Sequence, residues 1–205
     1  MGHAVAASLQ GIPEAFVSAL LESFKTRAEA VSAEVHRFPS KTAALDFIVG
    51  FLQAEGITDA PQSYAVWADG SFLGRAEKIR VSAQVPGLRF DVSRELAAES
   101  KIGISQMEWG IANTGTVVQD ATAVEKRLVS TLPPIHIAIV ATGSIVPDMP
   151  AVLRKIPPRH SHYLSMITGP SRTADIERVL TIGVHGPARL IVVLVDELQG
   201  VAHEN

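Results

Sequence analysis

Residues 135–141 (IHIAIVA) and 190–195 (LIVVLV) are nearly unbroken apolar runs. A strand with one wet face alternates apolar and polar side chains, so strands that do not alternate are covered on both faces. Helices packed on both sides of a parallel sheet meet that condition, and the two runs therefore predict an α/β fold: a three-layer sandwich with a mostly parallel sheet. Outward from them, short β-branched runs separated by Gly, Pro and Asp predict further strands at 64–68, 102–106, 115–118 and 163–168. Helices are expected at 150–156 and 174–180. Ahead of the strands, Phe16, Leu20, Phe24, Ala28, Val31 and Val35 recur at near-helical spacing, which predicts one long amphipathic helix over 13–35 with Pro13 in its first turn. A second helix follows Ser40, with Ala44, Phe47, Ile48, Phe51 and Leu52 on one face and Gly56 as its stop. The expected organisation is a single domain over 1–205, with an N-terminal helical portion at 1–58 and an α/β core at 59–205.

Composition narrows the function. The chain has 205 residues, of which 47% are hydrophobic and 19% charged, a balance that opposes disorder. The net charge of -3 comes without any Lys/Arg cluster, which removes the electrostatic basis for holding nucleic acid. There is no cysteine, so disulfides, thiolate nucleophiles and Cys-ligated zinc or iron–sulfur clusters cannot be built from this chain. The opening residues MGHAVAASLQGIPEAF lack the cationic and apolar regions of a secretory signal, and no apolar run reaches membrane-spanning length. The expectation is a cytoplasmic protein with no membrane insertion. No Walker, Gly-x-Ser-x-Gly or His-Glu-x-x-His motif occurs.

Three turns carry the candidate chemistry. In ITGPSRTADIERVL (167–180) a strand ends at Gly169-Pro170, Ser171, Arg172 and Thr173 occupy the turn, and Asp175 opens the expected helix. That order would place backbone N–H groups and hydroxyls at a positive helix end beyond a strand's carboxyl edge, where an anion fits and Arg172 adds a bidentate contact. The same residues also read as a helix cap, with Ser171 or Thr173 as N-cap and Asp175 favouring the dipole. Thr114-Gly115-Thr116 is a small-residue bend whose glycine admits close approach, or a plain turn. In GVHGPARL (183–190), His185 beside Gly186-Pro187 is either a proton-transfer group or a tie to the turn. His160-Ser161-His162 lacks the third ligand of a metal site, His136 reads as a core or edge histidine, and Glu108 reads as a solvated carboxylate.

The segments GIANTGTVV (110–118), TLPPIHIAIV (131–140), ITGPSRTADIE (167–177) and GVHGPARLIVVLVDE (183–197), in this order and spacing, resemble the LUD-domain family and within it the short LutC/YkgG type. The resemblance is close over the C-terminal half and holds in outline over the N-terminal helices. It implies a fold similar to the group of sugar-phosphate isomerases, CoA-transferases and formyltetrahydrofolate cyclo-ligases. It also implies a cysteine-free subunit of a three-component system that oxidises L-lactate to pyruvate, with the iron–sulfur clusters on partner proteins and no cofactor in this chain. Under it the TGT, GPSRTAD and VHGP turns converge at one end of the sheet. Thr114, Gly115, Thr116, Gly169, Ser171, Arg172, Thr173, Asp175 and Gly186 then form a candidate pocket for a small anionic ligand, with His185 as the catalytic candidate. Two other readings stay open: an autonomous binder or enzyme for a phosphorylated or nucleotide-like ligand, and an assembly subunit without a site of its own.

Overall fold

The computed structural model describes residues 14–156, 163–174, 180–183 and 185–198. The two apolar runs lie side by side at the centre. Strand β7 (Ile135–Ala141) pairs in parallel with β12 (Arg189–Val195) along its whole length, from Ile135 opposite Arg189 to Ala141 opposite Val195. Beyond β12 lies β1 (Glu34–Phe38); beyond β7 lie β4 (Ser100–Met107), β2 (Tyr64–Trp67) and β3 (Leu88–Arg89). All five pairings of this six-stranded sheet, order β1-β12-β7-β4-β2-β3, are parallel.

Successive side chains of the central strands feed two different cores. Ile135, Ile137, Ile139, Ile191, Val193 and Val195 pack with α2 (Lys41–Ala54) and α3 (Arg75–Gln84). Ala138, Val140, Leu190, Val192 and Leu194 pack on the opposite face with Leu21, Phe24 and Ala28 of α1 (Glu14–Ala30). Helices α4 (Arg94–Ala98) and α5 (Val124–Thr131) enclose a smaller core around Val66 and Val129. A four-stranded sheet, β8-β5-β6-β9, is formed by β5 (Trp109–Ile111), β6 (Thr116–Asp120), β8 (Ile145–Val146) and β9 (Leu164–Ile167). It shares the α1 core through Val117 and Ile145, and α6 (Met149–Leu153) covers its outer side. The molecule is thus an α/β sandwich in which a second sheet takes part of one helical layer.

The second predicted helix is found as read: Ser40 Oγ accepts the Ala43 amide at its N-cap, and the chain leaves it at Gly56. The first differs. Helix α1 stops at Ala30, and Val35 belongs to strand β1, so the front third contributes an edge strand to the main sheet and is not a purely helical portion. The stop is a Schellman-type turn: Ser32 takes φ +69°, Ala33 N–H donates to Ala28 O and Ser32 N–H to Glu29 O. Glycine normally occupies that position, and a serine there hides the end of the helix.

His136 is wholly buried on β7, with Nε2 2.9 Å from Ser105 Oγ on β4. Burial pulls its pKa down to about 3. Above the ordinary histidine range both folded and unfolded chains hold it neutral; below it only the unfolded chain takes the proton. Stability therefore falls as pH drops from about 6.5 toward 3, by up to about 1.4 kcal/mol per pH unit from this group. Denaturant melts of the wild type and His136→Met at pH 7, 6, 5 and 4 should show a shallower acid limb in the variant.

Candidate functional site

The end of α1 is where the predicted turns meet. Gly115, at φ +66°, lies so close to the helix that an added Cβ would stand 2.2 Å from Ala28 N. Gly169, at φ +70°, would bring a Cβ to 2.4 Å from Val31 O. Both positions require glycine on two counts, backbone conformation and contact with main chain. Between these turns runs a chain of hydroxyls: Thr114 Oγ1 to Thr116 Oγ1 at 2.7 Å, and Thr116 Oγ1 to Thr168 Oγ1 at 2.8 Å. Thr116 is buried, while Thr114 and Thr168 are exposed at the two ends.

Arg172 reaches the same helix end. Its Nη2 donates to Val31 O at 2.8 Å and to Ser32 Oγ at 2.6 Å, so the guanidinium caps a carbonyl the helix leaves unpaired and sits at the negative end of its dipole. Ser171 N–H donates to Pro187 O, Gly183 N–H donates to Ser171 O, and a Cβ on Gly186 would stand 3.2 Å from Ser171 Cβ. The TGT, GPSR and VHGP turns are therefore gathered on one helix terminus. Among the predicted site residues, Thr114, Gly115, Thr116, Gly169, Ser171, Arg172 and Gly186 belong to this cluster, and His185 is exposed on its VHGP turn. Thr173 lies in strand β10 (Arg172–Ala174), whereas Asp175 and the pair His160 and His162 fall outside the described residues.

Two expectations are corrected. The two end residues of the helix expected at 174–180 are strand residues: β10 (Arg172–Ala174) pairs antiparallel with β11 (Leu180–Ile182), Ala174 opposite Leu180, so Arg172 lies on a strand, while residues 175–179 fall outside the described residues. The cluster also sits beside the start of β1 and, through the Ala188 N–H to Pro134 O bond, the starts of β12 and β7, which is the amino edge of the main sheet and not the carboxyl edge. Glu108 differs too. It is buried at 3% exposure, accepts from the Asp120 amide at 2.7 Å and pairs with Lys126 Nζ at 2.8 Å. Burial pushes its carboxyl up, and Lys126 only partly offsets this.

The carboxyl edge carries polar groups that the sequence reading missed. Asp196, immediately after β12, accepts from Arg37 Nε of β1 at 2.9 Å and from Thr142 Oγ1, after β7, at 2.7 Å. Burial alone would raise its carboxyl, but these two bonds outweigh it and hold it below the usual carboxylate range. Glu197 Oε2 accepts the first amide of α2, from Lys41, at 3.3 Å. An acid directly after a buried strand was the available signal for Asp196. Arg37 gives none, because the helix expected over 13–35 takes in the first two residues of its strand and hides that a strand is there. Among the described residues no group of three or more His, Asp or Glu is placed to hold a metal ion, and no helix is long and apolar enough to cross a membrane.

A parallel α/β domain with polar turns at both edges of its sheet is the class of protein that fold and site define. The LUD domain model matches residues 21–195, and the chain belongs to the LUD domain family. It is 40% identical over 114 residues to lactate utilization protein C of an Exiguobacterium strain, covering 53% of this chain and 50% of the relative. It is 36% identical over 133 residues to lactate utilization protein C of Halalkalibacterium halodurans, covering 62% and 56%, and 30% identical over 107 residues to the uncharacterized protein YkgG of Escherichia coli, covering 49% and 46%. The chain spans about half the length of these curated relatives. The crystal structure of a DUF162 family protein from Deinococcus radiodurans shares the fold, with a TM-score of 0.62 at 19% identity over 87% of this chain and 98% of that one.

The packing of the turns on α1 predicts a graded response. Gly115→Ala and Gly169→Ala should each cost more than about 2 kcal/mol, since each combines a strained φ with a clash against main chain, read as a Tm lowered by at least about 4–8 °C. Arg172→Ala should lower Tm less, and Thr114→Val, at an exposed end of the hydroxyl chain, should leave it nearly unchanged.

Proposed function

We propose that this protein acts in lactate utilization, as a cysteine-free subunit of a system that oxidises L-lactate to pyruvate. The observation that carries the reading is the 36–40% identity to proteins named lactate utilization protein C, joined to the LUD domain match over 21–195. Removing two electrons from a 2-hydroxy acid requires an acceptor. A chain with no cysteine cannot supply thiolate-held clusters, so iron–sulfur companions fill that part. The part left to this chain is to bind and orient a small anionic ligand and to dock with those companions.

The turn cluster enters the reading as a ligand-contacting surface. Gly115, Gly169 and Arg172 hold the turns on α1, while Thr114, Thr168 and His185 present exposed polar groups from them. His185 is the residue assigned to proton transfer, since its exposed imidazole is the acid–base side chain these turns present.

Deletion of the gene from a strain with no redundant lactate dehydrogenase should abolish growth on L-lactate as sole carbon source, and the wild-type gene should restore it. Unimpaired growth of the deletion strain would sink the reading. Anaerobic capture of the tagged protein from lactate-grown cells should bring down iron–sulfur proteins with lactate-dependent dye reduction. Complementation with His185→Ala and Thr114→Val should fail or slow growth while both variants keep the wild-type Tm.

A further inference from the structure

Helix α1 has a second functional half. While its C-terminal turn holds the predicted cluster, its earlier turns roof a pocket of about 100 Å³ against β1 and the end of β12. The floor is apolar: Leu21 and Leu194 are 7% and 2% exposed, and Val35 is half-buried between them. The walls are polar, with Arg37 on the strand side and Ser18, Glu22 and Lys25 on the helix side. Arg37 gives only its Nε to Asp196, and among the described residues its two terminal nitrogens have no partner. Among the described residues Glu22 and Ser18 likewise make no side-chain hydrogen bond, and Lys25 is held only by a loose 3.9 Å contact with Glu29.

These features select a ligand class. The Asp196 contact fixes one edge of the guanidinium and leaves the end that receives a carboxylate in a two-pronged contact. Lys25 adds a second positive charge. Volume sets the scale: a cavity of about 150 Å³ holds benzene, so about 100 Å³ suits a molecule of a few carbons. The Leu21–Val35–Leu194 floor takes a methyl or ethyl tail. Glu22, the one carboxylate among the lining residues, accepts a hydroxyl proton and repels a carbonyl oxygen at the same place.

We propose that this groove between α1 and β1 is a binding site for a short-chain 2-hydroxy acid, with Arg37 and Lys25 on its carboxylate, Glu22 accepting from its hydroxyl, and Leu21, Val35 and Leu194 under its alkyl tail. The site is separate from the turn cluster, although both are carried by α1. The choice of a 2-hydroxy acid as its occupant rests on the proposed role in lactate utilization; the preference for a small carboxylate rests on the groove alone.

Titration calorimetry on the full chain with L-lactate, pyruvate, propionate and uncharged L-lactamide tests it. The expected result is binding of L-lactate in preference to pyruvate and propionate, with L-lactamide much weaker. Arg37→Gln should lose roughly tenfold to a hundredfold in affinity, the scale of a charge-assisted bond. Ser18→Trp, which fills the groove from an exposed helix position without touching Asp196, should abolish binding at unchanged Tm. Glu22→Gln should keep carboxylate binding and lose the preference for lactate over pyruvate. Lactate binding undiminished in both Arg37→Gln and Ser18→Trp would overturn the site while leaving the lactate role intact. No binding of any of the acids to the wild type would also overturn it, and the growth phenotype of the deletion strain would still decide the role independently.

Discussion

Everything else in the molecule depends on two strands being dry on both faces. Fully burying an aliphatic side chain contributes about 1.5–3 kcal/mol, and β7 and β12 bury Ile135, Ile137, Ile139, Ile191, Val193 and Val195 toward one helical layer while Ala138, Val140, Leu190, Val192 and Leu194 face the other. Neither face can be opened without exposing half of that set. The helices are therefore obligatory, and so is the parallel arrangement, because only crossovers bring covering elements to both sides of the same strands.

Helix α1 builds on this constraint, carrying the turn cluster at one end and the groove nearer the other. It is held on the sheet by Leu21, Phe24 and Ala28, the last two at 0% exposure, and from that position its two ends serve different neighbours. At the C-terminal end Arg172 donates to the Val31 carbonyl, and glycines at 115 and 169 let two turns close against bare backbone. Toward the other end, the same helix leaves a groove over β1 with a charged rim. One packed helix thus borders both the turn cluster and the groove.

Asp196 shows how the parallel sheet creates polar positions at its carboxyl edge. It joins Arg37 from β1 and Thr142 after β7, residues separated by more than a hundred positions in the chain and brought together only because β1, β12 and β7 are adjacent. At the opposite edge Arg189 does the corresponding work, pairing with Glu34 of β1 and with Glu55 just past α2, and these bonds hold its guanidinium more firmly protonated than usual. Both edges are clamped by side-chain pairs across strands that are remote in sequence.

What the amino-acid sequence determined by itself is what local pattern encodes. The apolar runs at 135–141 and 190–195 specified doubly covered strands, Ser40 and Gly56 bracketed α2, and the linked turn motifs pointed to the LUD domain. Tertiary structure decided the rest. Helix α1 ends at Ala30 because Ser32 accepts a left-handed backbone that glycine would have announced, and this freed 34–38 to become an edge strand. Ala174 and Leu180, the two ends of an expected helix, pair with each other as strand residues, since strand pairing depends on a partner that periodicity does not contain. Glu108 looked solvated in isolation; a lysine eighteen residues away and a backbone amide make its burial tolerable. The common reason is that propensity and periodicity describe a residue's neighbours along the chain, whereas caps, pairings and buried charges are settled by neighbours across space.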